Sequence, residues 1–348
     1  GSAFVRAALG LQDGPAVPAA TEPLESARHA VARLVVLDKL TYAGRRENLD
    51  AFEGDRRFVF VEGDVCDRPL VDKLFAEHDF DAVVHLAAES HVDRSIADGA
   101  PFVRTNVDGT FVLLDAARAA WVGPDLRRFV YVSSDEVYGA LGHAGHFDES
   151  SPLAPRSPYA ASKAAGDLFA RAYFVTHGLP VVVTHGSNTY GPRQSPEKLI
   201  ARSIANALAG TPMPVYGAGK QVRQWLYVDD HARGLWQALL VGRPGETYDL
   251  GGTAELENRE TVGRVAAAVD RALGRAPGTS LRLVTFVADR AGHDFRYALD
   301  SAKARQALRW RPAIAFDEGL AHTIAWYIAN PAWLERAAAA VALPVPGR

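Results

Sequence analysis

Cysteine is almost missing from this 348-residue chain, where Cys66 stands alone. One thiol excludes an intrachain disulfide framework and a cysteine-rich metal site, and it agrees with a reducing compartment. No apolar run reaches the ~18 residues of a membrane-spanning helix. No charged stretch leads into a short apolar one, as a secretory leader requires. The expectation is therefore a cytoplasmic protein without a membrane partner. An excess of one charge sign is lacking too. Lys and Arg number 38 against 41 Asp and Glu, a net charge of −3, which leaves no basic footprint for nucleic acid. No solenoid-type repeat is visible. His85 sits in an apolar strand without a second ligand nearby, so it reads as a packed histidine and no metal site is expected. A hydrophobic content of 48% suffices for a sizeable core, and the length suits about two domains.

The richest stretch runs from Phe129 to Lys163. Phe129-Val130-Tyr131-Val132-Ser133 reads as a buried strand ending in Ser134-Asp135-Glu136. Hydroxyl and carboxyl groups at that end belong to the carboxyl edge of a sheet, where open α/β sheets bind ligands. Tyr159 and Lys163 lie four apart and share one face of a helix. An ammonium beside a phenol favours the phenolate. Moving an ordinary tyrosine from ~10 to about 7 takes roughly 4 kcal/mol.

Other apolar runs have the same strand character: Leu34–Leu37 ending in Asp38, Phe58–Val61 before Asp64, Asp81–Ala88, and Val181–Thr184. An acid after the second strand of a dinucleotide fold accepts from the adenosine ribose, which favours NAD over NADP. Two helices are expected at about 104–120 and 158–177, with Asn106 capping or bracing the first. Residues Gly10–Glu25 read as a loop.

The Tyr159/Lys163 pair downstream of Ser134-Asp135-Glu136 resembles the extended short-chain dehydrogenase/reductases, and within them the nucleotide-sugar 4,6-dehydratases. The resemblance spans about residues 1–335. It implies an α/β fold, a Rossmann-like doubly wound parallel sheet with a smaller C-terminal substrate-binding domain. Residues 1–186 would bind NAD, 187–335 would bind the sugar nucleotide and interleave partly with the sheet, and 336–348 would form a tail. Gly1 would be the last glycine of the dinucleotide turn, the preceding strand and two glycines being absent from the printed sequence. Gly1-Ser2 also fits a vector-derived leader.

The same resemblance implies the site residues. NAD would be held by Gly1, Asp38, Lys39, Thr41, Asp64, Val65, Leu86, Ala87, Ala88, Thr105 and Asn188, together with Tyr159 and Lys163. The nucleotide sugar would meet Ser90, Ser134, Thr189, Lys198, Leu199, Pro214, Tyr216, Arg223, Asn258, Arg290 and His293. Thr189, Gln224 and Ala291 depart from the commonest family residues. The implied reaction is dehydration of a nucleotide-activated glucose, with a thymidine nucleotide favoured, to a 4-keto-6-deoxy sugar. Tyr159 and Lys163 serve the redox step with Ser134, while Asp135 and Glu136 serve loss of water. A homodimer built on the two helices is implied as well. The alternatives are a nucleotide-sugar 4-epimerase or decarboxylase, and a non-catalytic nucleotide-sugar-binding module.

Overall fold

The structure, a computed structural model, describes residues 1–11, 31–121, 123 and 127–341. Most of the expected Gly10–Glu25 loop therefore lies outside the described residues. The central layer is four parallel strands in the order β3 (Ala82–His85), β4 (Arg128–Ser134), β5 (Val181–Gly186) and β9 (Thr247–Leu250). A separate parallel pair joins β1 (Leu34–Asp38) to β2 (Phe58–Glu62), in register from Leu34 opposite Phe58 to Asp38 opposite Glu62. These six strands thus form two hydrogen-bonded groups, with β1 and β3 unpaired to each other. The first described element is helix α1 (Ser2–Leu9), capped by left-handed Gly10.

Alternation along β4 shows why helices cover both faces. Phe129 and Tyr131 pack with α2 (Arg68–Glu77), α5 (Gly109–Ala120) and α6 (Pro158–His177). Val130 and Val132 point the other way, toward α1, α8 (Val228–Val241) and α10 (Ala302–Ala307). A strand buried on both faces must be apolar, as β4 from Phe129 and β5 from Val181 are until they near their carboxyl ends. The expected helix 158–177 is α6. Ser157 accepts from the Ala160 N–H, Pro158 occupies the first turn and left-handed Gly178 ends it. The expected helix near 104–120 is longer. It begins with α4 (Ala100–Phe102), after the separate α3 (Val92–Ala97) that ends at extended Asp98, and passes through a π turn over Val103–Asp108 into α5.

The rest of the chain forms a second cluster. A three-stranded sheet holds β10 (Ala254–Glu257), β8 (Val222–Tyr227) and β6 (Asn188–Tyr190), and β7 (Met213–Tyr216) pairs with β11 (Val284–Val287). Helices α7 (Leu199–Ala209), α9 (Asn258–Ala272), α11 (Phe316–Ala329) and α12 (Pro331–Ala340) close a core containing Ile200, Val265, Leu320 and Trp333. The chain returns to the parallel sheet through β9, so the two parts interleave. The expected tail from 336 begins inside α12, where Ala337 is buried in that core and Arg336 pairs with Glu47. Asn330 before Pro331 starts this helix, and its apolar face holds it down.

Candidate active site

Strand β4 ends at Ser134, whose hydroxyl accepts from the Glu136 N–H and starts a 3-10 turn over Asp135–Tyr138. Gly139 ends the turn at φ 86°, a left-handed value that favours glycine. Asp135 is buried, and the Ser134 hydroxyl donates to its Oδ1 at 3.2 Å. Its Oδ2 is buried without a partner. Burial, aided by the neighbouring Glu136, pushes this carboxyl up to about 7. Burial raises Glu136 too, against the opposing charges of Arg223, Arg290 and Lys198.

Helix α6 brings Tyr159 and Lys163 beneath this turn, and both are buried. Gly166 allows the approach, since a Cβ there would collide with the Tyr131 hydroxyl. That hydroxyl donates to the Lys163 carbonyl at 3.1 Å. Burial and then the charge of Glu136 raise the Tyr159 phenol, with a hydrogen bond to Ser134 opposing them. Burial lowers the Lys163 ammonium to about 8, and Asp167 one helical turn on opposes this. The ammonium donates to the Val132 carbonyl at 2.6 Å and lies 4.5 Å from the Tyr131 ring centre. The expected Tyr159–Lys163 pairing is therefore present as a shared helix face, while the ammonium itself is held by β4.

The cofactor-side candidates line the carboxyl ends of β1 to β5 and the start of α1. Asp38 is exposed and accepts from the Leu40 N–H. Lys39 pairs with Asp64 at 2.7 Å, and the other Asp64 oxygen accepts from the Cys66 N–H. Val65 packs under Gly109, where a Cβ would strike it. Leu86, Ala87 and Ala88 are half-buried after β3, Thr41 is exposed, and Thr105 is half-buried in the π turn. Gly1 is the exposed N-cap of α1. Asn106 braces rather than caps: it exchanges hydrogen bonds with the Glu89 backbone and donates to Ser162 on α6. Buried Ser133 Oγ and Asn188 Oδ1 have no hydrogen-bond partner. Small residues, exposed Asp38 and these unpaired polar atoms fit an NAD molecule laid across the strand ends. His85 proves satisfied, its Nε2 lying 3.0 Å from the Thr110 hydroxyl. Among the described residues, no group of three or more His, Cys, Asp or Glu side chains could hold a metal.

The substrate-side candidates come from separated segments that converge. Lys198 donates to the Ser90 carbonyl at 2.6 Å, and Leu199 follows it as the first residue of α7. Tyr216 donates to Asp93 at 2.9 Å, and Arg290 reaches the other Asp93 oxygen at 3.4 Å. His293 lies 2.7 Å from Asp289. Pro214 lies on β7, and Asn258 is buried with an unpaired Oδ1. Arg223 is buried, donates to the Val222 and Asp294 carbonyls at 2.8 and 3.1 Å, and lies 4.3 Å from the Tyr297 ring centre. The Thr189 hydroxyl is engaged by His231 at 3.0 Å. Asp93, Tyr297 and Asp294 were missed in the sequence, as was Arg94, which lies 3.8 Å over the Tyr42 ring. Asp93 and Arg94 stand in the same Glu89–Ser95 segment as Ser90, which was the available signal.

A parallel sheet with a buried Tyr/Lys pair at the end of its central strand defines a short-chain dehydrogenase/reductase. Comparison narrows the class. The family model described as GDP-mannose 4,6 dehydratase matches residues 18–323. A dTDP-glucose 4,6-dehydratase of Xanthomonas campestris is 50% identical over 309 residues, covering 87% of this chain and 88% of that protein. The solved double mutant of DesIV, a dTDP-glucose 4,6-dehydratase of Streptomyces venezuelae with NAD bound, superimposes with a TM-score of 0.84. It is 45% identical and the match covers 97% of this chain and 96% of that one. A Thermus thermophilus UDP-glucose 4-epimerase in complex with NAD shares the fold at a TM-score of 0.77 and 29% identity, covering 95% and 96% of the two chains. The chain belongs to the nucleotide-sugar 4,6-dehydratases of the extended short-chain dehydrogenase/reductase family.

Proposed function

We propose that this protein is an NAD-dependent enzyme that converts dTDP-glucose to its 4-keto-6-deoxy product with loss of water. The observation that carries the reading is the Asp135 carboxyl, held near 7 beside Glu136 at the end of β4. An acid that keeps its proton near neutrality, next to a base under three nearby cations, suits elimination of water. Tyr159 takes the proton from the C4 hydroxyl while Ser134 holds that oxygen. Bound NAD supplies the hydride acceptor and returns the hydride. Glu136 removes the C5 proton that the C4 ketone acidifies, and Asp135 protonates the departing C6 hydroxyl. Lys163 keeps positive charge beneath Tyr159. Arg223, Arg290 and Lys198 face the diphosphate and base of the substrate.

Residues 1–186 with β9, α8 and α10 form the cofactor part in this reading, and most of the remaining residues through 341 the sugar-nucleotide part. The enzyme is cytoplasmic and works as a homodimer. Support for the dimer is a row of exposed apolar residues: Val103 and Phe111 before and on α5, and Leu168, Phe169 and Val175 on α6. Phe111 and Phe169 sit 6.2 Å apart, so the row is continuous across the two helices. A patch of this kind marks an interface.

The test is incubation of the purified protein with NAD and dTDP-glucose, read by mass spectrometry. A nucleotide sugar lighter by one water supports the proposal. Accumulation of the C4 epimer at unchanged mass, or no conversion, refutes it.

A further inference from the structure

The side chains assigned to the nucleotide end of the substrate are fastened to one short stretch of the other half of the molecule. Tyr216 ends β7 and stands in register with Val287 at the end of β11. Arg290 follows on the loop that leaves β11. The carboxyl ends of this parallel pair therefore deliver both side chains to one place. There they meet Asp93, in the first turn of α3. Tyr216 donates to one carboxylate oxygen at 2.9 Å and Arg290 to the other at 3.4 Å, across 123 and 197 residues of chain. At Ser90, earlier in the same stretch, the backbone carbonyl receives Lys198 at 2.6 Å. The stretch is anchored at its other end too. Asn106 exchanges hydrogen bonds with the Glu89 backbone and donates to Ser162 at 2.8 Å. Ser162 donates to the Tyr159 carbonyl at 2.7 Å. Hydrogen bonds and the chain from Glu89 to Asp93 thus make one path from the nucleotide side to the backbone of Tyr159.

We propose that Asp93 is a positioning residue: its carboxylate holds Tyr216 and Arg290 in the poses that receive the nucleoside diphosphate, and so sets the nucleotide in register with Tyr159. This rests on the substrate reading given above. Asp93 and Arg290 are both half-buried, and a pair so open to water adds little to the fold. Its consequence is orientation. The carboxylate gives one oxygen to each partner, which fixes the two side chains relative to each other. Arg290 keeps a donor to spare, because its Nε is buried without a partner. A guanidinium held at one terminal nitrogen and open at Nε is prepared for a phosphate oxygen. Asp289 braces the same loop from the substrate side, accepting from the Arg290 N–H at 2.8 Å and from Gln221 at 2.9 Å. Without Asp93, the Arg290 side chain samples many rotamers and must be ordered again when nucleotide binds. The carboxylate is also an anion near an anionic ligand. Preorganisation has to exceed that repulsion, so the sign of a charge-removing substitution decides between the two.

Calorimetry of dTDP binding to the full chain with NAD tests this. D93N keeps the shape and an oxygen for Tyr216 but drops the charge that Arg290 faces. It should weaken dTDP binding about three- to tenfold, the effect of having to order one long side chain. D93A releases Tyr216 as well and should weaken binding further. In an R290A background D93N should add nothing, because its effect runs through Arg290. The NAD retained by each variant should equal that of wild type. Tighter or unchanged dTDP binding in D93N overturns the proposal, the former by showing that repulsion prevails. Additive losses in the double variant overturn it too. So does a parallel loss of NAD, which would report a general disturbance after β3. Wild type that binds dTDP but forms no dehydrated product refutes the dehydratase reading and leaves the comparison intact. Wild type that binds no dTDP overturns both.

Discussion

Asp135→Asn should weaken catalysis and strengthen the fold at once. The carboxyl stands at about 7 in the folded protein against an ordinary value of 3.8. That gap of roughly three units corresponds to about 4 kcal/mol, a ceiling on what ionising Asp135 costs the fold. The sign follows from the raised value. The folded state prefers the protonated acid, so this stability is complete below the unfolded value and is lost as pH rises through the folded one. Asparagine keeps the shape and never ionises. The stability difference between variant and wild type should therefore grow from about pH 4 to 7 and flatten above it, by up to ~4 kcal/mol. Elimination should meanwhile slow by ~10²–10⁴-fold, the usual worth of a general acid. Reduced nicotinamide should still form and should persist. Thermal melts across pH, paired with single-turnover absorbance, read both effects. A variant that keeps wild-type product formation, or whose relative stability does not change with pH, refutes the reasoning.

Glu136→Gln should suppress exchange of the C5 proton with deuterated solvent, and Tyr159→Phe should abolish the transient reduced nicotinamide; mass spectrometry and absorbance separate the two. Arg223→Ala should weaken binding of the nucleoside diphosphate by about 1.5–3 kcal/mol in calorimetry, and unchanged affinity would place its charge outside the binding contacts. Asp38 should make the cofactor recovered after denaturation mainly NAD, and recovery of mainly NADP would remove Asp38 from that role. Phe169→Glu should convert a dimer to a monomer in sedimentation, since the charge falls in the exposed apolar row of α5 and α6.

The legible parts of the chain were those in which local signals agreed. Ser157-Pro158 and Gly178 bracket α6 in the sequence as they do in the structure. Apolar runs located the main strands because a strand buried on both faces leaves no polar position until its end. The hidden parts depend on groups far apart in the chain. His185 meets Asp249 and Asp167 at separations of 64 and 18 residues, and no local pattern joins them. A histidine closing the run Val181-Val182-Val183-Thr184 was the one hint, because such a residue needs a buried partner. Arg223 read as a contact of the nucleotide sugar. Its burial became visible only once the Asp294 carbonyl, 71 residues away, was seen to receive it.

The difference between this chain and an epimerase on the same scaffold is explained by a single turn. In the proposed reaction Tyr159 and Lys163 serve removal of hydrogen from a sugar carbon, a step common to both activities. Dehydration needs a proton donor and a proton acceptor a few ångströms apart, in different protonation states. Adjacent carboxylates in a strand would point to opposite faces, and one of them would miss the cleft. The 3-10 turn begun by Ser134 has three residues per turn, so Asp135 and Glu136 diverge by about 120°. One enters the protein and is buried, while the other stays half-buried under Arg223, Arg290 and Lys198. Burial raises both carboxyls, the first to about 7, while three cations oppose the rise of the second alone, so two side chains of like chemistry meet different surroundings. In the proposed reaction the Ser134 cap therefore serves twice, as a hydrogen-bond partner of Tyr159 and as the residue that bends the chain where the two acids part.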